Sequence, residues 1–289
     1  MTEQMVASSG VHLSVKSSGH LAGPTVILVH GFPDNQSVWD RIVPLLEPHF
    51  HVVTYDVRGS GSSSAPDSRK GYAIGRLIDD LVAVIDRVRP DGAPVHLVGH
   101  DWGSIQLWPA VLREGEDARL SGRIASFTSI SGPGPEQIGE FFRTSARQFA
   151  IGRIVRQLAH SWYIGIFQLP ALPEFAFRRL TKRLRAQLIR KQGLGSDAHW
   201  SPTLERDGAN GVNLYRANRV SFARRTTKVP VHLIVATKDD FVTLPLLDVI
   251  PAVAPDLRRT DIVAGHWLIR THPEVIAELI TTFVEGHSA

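Results

Sequence analysis

Cysteine is missing from all 289 residues, which excludes disulfides, thiol nucleophiles and cysteine-ligated metals. No apolar run reaches the roughly 18 residues that a membrane-spanning helix needs. The opening MTEQMVASSG has neither a basic leader nor an apolar stretch behind it, so no secretory signal is read and a cytoplasmic protein is expected. Charge of one sign is also scarce: the net is +4, with a pI near 9.6. That pI alone argues weakly for a nucleic-acid partner, and no aromatic-basic stacking pattern supports one, so none is expected. Tyrosine is rare, with four in the chain. What is plentiful is apolar surface. At 43% hydrophobic, the chain can bury a large core as one domain carrying an inserted subdomain.

Short β-rich runs alternate with helical patterns, the signature of parallel strands joined by crossover helices. TVILVH (25–30), HVVTYD (51–56) and PVHLVG (94–99) are continuously apolar, as strands buried on both faces are. VHLSV (11–15) is expected to open the sheet at an edge, and RIASFTSIS (123–131), VPVHLIVA (229–236) and RRTDIVAG (258–265) to continue it. Ile74, Leu77, Ile78, Leu81, Val82, Ile85 and Val88 recur at helical spacing and predict a helix over 74–88. A second helix is expected from Trp102, bent or stopped early by Pro109. The tail from His272, with Val275, Ile276, Leu279, Ile280 and Phe283, predicts a closing amphipathic helix. No internal repeat or low-complexity tract is visible.

Strand signals stop between Ser131 and about Thr226. The predicted division is a core over 1–131 and 227–289, interrupted by a helical cap over 132–226. SGPGP (131–135) is its turn-rich entrance, and HWSPTLERDGANG (199–211) reads as a looser stretch within it. FAFRRLTKRLRAQLIRKQ (175–192) combines an apolar stripe of Phe177, Leu180, Leu184 and Leu188 with seven cations. Such a helix can lie on anionic lipid, yet the stripe is needed to cover the core, so a solvated charged face is the expectation.

Four stretches carry chemistry. In VHLVGHDWGS (95–104), Asp101 stands at a strand-to-helix turn flanked by Gly99 and Gly103, where many hydrolases place a nucleophilic serine. A helix N-cap is the competing role for Asp101. HGFPDN (30–35) follows a strand and can turn the amide of Phe32 toward the amide of Trp102, giving two fixed donors for an oxyanion. AGHWLIRTHP (264–273) places His266 after the last strand, as a general base. VATKDDFVT (235–243) offers Asp239 and Asp240 as the acid that orients it; neighbours on an extended chain point apart, so one of the two faces His266. The order nucleophile, acid, histidine is that of α/β-hydrolases.

With these stretches in view, the chain resembles the epoxide hydrolase branch of the α/β-hydrolase superfamily. The likeness rests on HGFPDN, YDVRGSGSS (55–63), GHDWGS (99–104), the FQLP and NLYR segments and AGHW (264–267). It implies an α/β-hydrolase fold, a mostly parallel eight-stranded sheet flanked by helices, with the helical cap inserted. It also implies Asp101 as nucleophile, His266 as base and Asp239, with Asp240 close behind, as the acid. Two cap tyrosines that grip the epoxide oxygen map onto Tyr163, four residues before the Phe of FQLP, and onto Tyr215 of NLYR. Ser104 follows HDWG where smaller residues are more usual, and should fit. The HDWGS…SFTSISGP version is similar to the hydrolase half of actinobacterial fusion proteins with a dehydrogenase-like domain downstream; a free-standing chain and a piece of a longer one both stay open.

The implied reaction converts a hydrophobic epoxide and water to a vicinal diol with no metal and no cofactor. A carboxylate suits the task because an epoxide offers sp3 carbon, which needs backside displacement by a group that hydrolysis can free again. A haloalkane dehalogenase shares the nucleophile but needs no acid for its leaving halide, and its relatives usually carry Asn where Phe32 stands. A binding protein that kept the fold without turnover would need no complete set of catalytic groups. A homodimer is compatible with the sequence.

Overall fold

The computed structural model describes residues 1–195 and 203–288. Strands β1 (Thr2–Ser8), β2 (Val11–Gly19), β3 (Thr25–Val29), β4 (His51–Tyr55), β5 (Val95–His100), β6 (Ile124–Ile130), β7 (Val231–Ala236) and β8 (Leu257–Ile262) form one sheet in the order β1-β2-β4-β3-β5-β6-β7-β8. β1 and β2 pair antiparallel, as do β2 and β4; every other pair is parallel. This is the predicted mostly parallel eight-stranded sheet. Its edge differs from expectation. VHLSV belongs to β2, and β1, too polar to announce itself, takes the edge through a two-residue turn in which Ser9 and Gly10 both have positive φ.

The helices are α1 (Val43–Leu46), α2 (Ile74–Val88), α3 (Trp102–Val111), α4 (Pro135–Arg147), α5 (Ile151–His160), α6 (Trp162–Phe167), α7 (Leu172–Gln192), α8 (Leu204–Ala217), α9 (Leu244–Leu247), α10 (Leu268–Thr271) and α11 (Pro273–Glu285). α2 matches its predicted range, and α3 ends two residues after Pro109, whose ring removes one backbone bond from the helix. Strand side chains alternate between two cores. Ile27 and Val29 join α2 and α3 on one face, while Val26 and Leu28 join Trp267 and α11 on the other. Burial on both faces explains why these strands lack a polar stripe.

Helices α4 to α8 lie between β6 and β7. Residues 199–202 of the stretch read as loose fall outside the described residues, but its remainder is the start of α8. The turn-like DGANG misleads because its glycines serve packing. A Cβ on Gly208 would sit 2.1 Å from the Phe177 ring, and one on Gly211 2.6 Å from the Phe32 ring. Asp207 anchors the same turn, accepting hydrogen bonds from the Gly61 amide and from Thr203.

Candidate active site

β5 runs straight into the turn that carries Asp101, whose φ of 51° and ψ of −123° lie in a sparsely populated region. The turn is over-determined: the Asp101 amide donates to the Ile130 carbonyl at 3.0 Å, and Ile105 donates to the Asp101 carbonyl at 2.9 Å. Gly103 is required by close approach, since a Cβ there would stand 2.0 Å from the Val29 carbonyl oxygen. The side chain does not cap α3, which disposes of the N-cap role. Instead Oδ1 accepts the Phe32 amide at 2.8 Å. Trp102 opens α3, so its amide belongs to the helix end that has no intrahelical acceptor. Ser104 fits, buried, with its hydroxyl donating to the Gly132 carbonyl at 2.7 Å.

His266 reaches the same carboxylate from the loop after β8. Its Nε2 lies 3.6 Å from Asp101 Oδ2, and its Nδ1 lies 2.9 Å from Asp239 Oδ2. The other oxygen of Asp239 accepts the amides of Phe241 and Val242 at 2.8 and 3.1 Å. Burial disfavours charge on Asp239, but His266 and those amides outweigh it and hold the carboxyl below its ordinary range. Burial likewise opposes charge on His266, and the flanking Asp239 and Asp101 overcome it, raising the imidazole to about 10. The resting arrangement is therefore an imidazolium between two carboxylates. Asp240 points elsewhere: its Oδ2 accepts from Gln192 at 2.8 Å and lies 3.3 Å from the Lys191 ammonium. The choice left open between neighbouring aspartates falls on Asp239 as the partner of His266.

A cavity of about 670 Å³ opens above Asp101 and His266, of the size that takes a drug-like molecule. Tyr163 and Tyr215 line it, their rings 6.0 Å apart. Each has its ionisation pushed up, first by burial; the Asp101 charge adds to it in both, so both phenols stay protonated donors. Tyr215 packs edge-on against Trp102 and Phe32, and Tyr163 against Phe241 beside the acid. Trp162, Ile166 and Phe167 also line this space.

Several organising residues escaped the sequence reading. Arg216, which follows Tyr215, donates to the carbonyls of Phe167 and Leu169, both at 2.6 Å, and pairs with Glu174 of α7. It locks the FQLP segment to α8 and so sets the spacing of the two tyrosines; its place inside NLYR was the available signal. Gln192 accepts the His266 amide at 3.1 Å while donating to Asp240, and Gln157 accepts the Thr243 amide at 3.1 Å while donating to the Phe241 carbonyl at 3.0 Å. Two glutamines on helices distant in sequence leave no readable pattern. Trp267 of AGHW donates to Asp34 of HGFPDN at 2.9 Å, joining two motifs that had been read separately. His100 lies against the His266 carbonyl at 2.9 Å and is driven to about 4 mainly by burial, so as a neutral ring it donates that bond and holds the loop.

The profile described as alpha/beta hydrolase fold matches residues 24–273. "Probable oxidoreductase EphD" of Mycobacterium tuberculosis is 36% identical over 301 residues, covering 99% of this chain and 50% of that protein, so the chain spans about half the length of that relative. "Epoxide hydrolase A" of the same organism is 28% identical over 329 residues, covering 99% of this chain and 98% of its own. The crystal structure of Bacillus megaterium epoxide hydrolase in complex with an inhibitor superposes with a TM-score of 0.80 at 23% identity, over 98% of this chain and 100% of that one. Sheet order, the strand-to-helix turn and a matched span of this extent have one reading: the chain belongs to the alpha/beta hydrolase fold family.

Proposed function

We propose that this protein opens a hydrophobic epoxide to a vicinal diol through an ester on Asp101. The observation that carries the reading is that two protonated phenols, Tyr163 and Tyr215, line the cavity that Asp101 also lines. A halide needs no such acid, whereas an alkoxide leaves poorly without one, and positioned acids contribute about 10²–10⁴-fold. The helices of 132–226 act as the cap that presents them.

The proton count closes within the site. Asp101 attacks a ring carbon, the carbon–oxygen bond breaks, and a phenol protonates the departing oxygen. Esterification removes the negative charge 3.6 Å from His266, which loses one of the groups that raise its pKa and gives up its proton, restoring the phenol's. Now neutral, His266 takes a proton from water as the oxygen attacks the ester carbonyl. The Phe32 amide, already on Oδ1, and the Trp102 amide stabilise the oxyanion. Collapse breaks the ester bond, the hydroxyl proton that water left on the intermediate passes to the departing alkoxide, and the diol leaves with Asp101 as carboxylate beside an imidazolium. Asp239 holds the ring throughout and keeps its charge.

Single turnover in ¹⁸O-water with enzyme in excess tests this. The first diol is expected to emerge unlabelled, its new oxygen coming from Asp101; label in that diol would eliminate the ester. Release of halide from haloalkanes without diol formation from epoxides would transfer the chain to the dehalogenases.

A further inference from the structure

Amphipathic helices ordinarily turn their apolar stripe inward. α5 does the reverse. Ile151, Val155 and Leu158, at helical spacing on one face, are 56, 59 and 54% exposed, while its buried residue is Gln157. Phe149 precedes them, almost wholly exposed, and Trp162, Ile166 and Leu172 continue the exposed apolar surface along α6 and into α7. Those last three also line the large cavity, so the exposed apolar residues run up to it on one side. Lone exposed apolar residues are ordinary; a surface of this kind marks an interaction site.

Charge says what covers it. Residues 145–195 hold ten of the 32 arginines and lysines but one of the 28 carboxylates, so they carry +9 and the rest of the chain −5. Arg147, Arg153, Arg156, Arg178, Arg179 and Lys182 are exposed around the apolar residues. We infer that α5, α6 and the adjoining part of α7 dock on an anionic lipid bilayer, with the cavity mouth turned toward the acyl chains. Apolar side chains enter the headgroup boundary, cations meet lipid phosphates, and an apolar substrate passes into the cavity without crossing water. A second copy fits poorly, because two +9 faces repel. A phosphate polymer would leave the apolar residues uncovered. Among the described residues no helix is long and apolar enough to cross a membrane, so the contact is peripheral.

Co-sedimentation with vesicles tests docking without any substrate, and its outcome is therefore separate from the chemistry proposed for Asp101. At about 0.1 M salt, the full chain is expected to sediment with phosphatidylcholine vesicles containing about one-third phosphatidylglycerol, and at least about tenfold less with phosphatidylcholine alone. Replacing Phe149, Val155 and Leu158 together by Ser should abolish sedimentation with an unchanged melting temperature. Arg153→Gln, which leaves the apolar face intact, should weaken it about fivefold. No sedimentation with the anionic vesicles overturns the inference, and so does full sedimentation of the triple variant. A dimer lost in that variant, without vesicle binding, would instead assign the face to a second copy.

Discussion

At the scale of single residues, the site turns on a histidine whose charge depends on its neighbour's. In the structure His266 lies between Asp101 and Asp239 and is raised to about 10. Its folded value stands above the ordinary one, so the interaction stabilises the fold at neutral pH and is lost as pH rises through about 10. With Asp101 esterified, one of the raising charges is gone. Ester hydrolysis followed after a rapid substrate pulse should therefore speed up with pH, with a midpoint below that of the free enzyme. Asp239→Asn should lower the midpoint further, because burial then acts with little opposition. His266→Gln is expected to accumulate the alkylated chain, visible as a mass increase equal to the epoxide; turnover without that adduct would remove His266 from its role. The phenols are tested at the earlier step. Tyr163→Phe with Tyr215→Phe should slow alkylation of Asp101 by about 10²–10⁴-fold, and near-normal rates would take both out of the reaction.

At the scale of elements, the loops that build the site are held by buried charge. Arg58 and Asp80 form a two-pronged pair at 2.6 and 2.7 Å with almost no solvent contact, and a further Arg58 nitrogen donates to the Gly71 carbonyl at 2.6 Å. The pair ties the YDVRGSGSS loop to α2. Asp56 of that loop accepts the Gln36 and Ser62 amides at 2.8 and 2.7 Å, linking it to the loop that carries Phe32. Removing one partner strands a charge in low dielectric, so Asp80→Ala should cost about 3–5 kcal/mol in chemical denaturation. Arg58→Met with Asp80→Leu should recover much of the loss, and equal destabilisation by both variants would contradict the account. Sequence alone made the Arg of this loop look like part of a motif; its work is to brace a helix.

At the scale of the whole molecule, legibility followed periodicity. Buried parallel strands and α2 declare themselves because every residue, or every third and fourth, must be apolar. The turn at Asp101 declares itself because close approach forces glycine at Gly103. What stayed hidden depended on partners far along the chain. β1 is polar on its exposed face and is a strand because β2 accepts it; α8 contains glycines because Phe32 and Phe177 crowd it. α7 shows both limits. Its Phe177, Leu184 and Leu188 line the cavity, as a stripe that covers a core would, yet Leu180 stays exposed. That the solvent-facing side of α5 is greasy could not be inferred without knowing which side faces out.

One contact binds these scales together. Gln192 is the last residue of α7, the helix that also carries the greater part of the cationic surface, and its side chain grips the backbone of the imidazole-bearing loop. Any outward shift of this end of α7 would have to break that grip. The width of the cavity and the seat of the imidazole are thereby coupled through a single side chain.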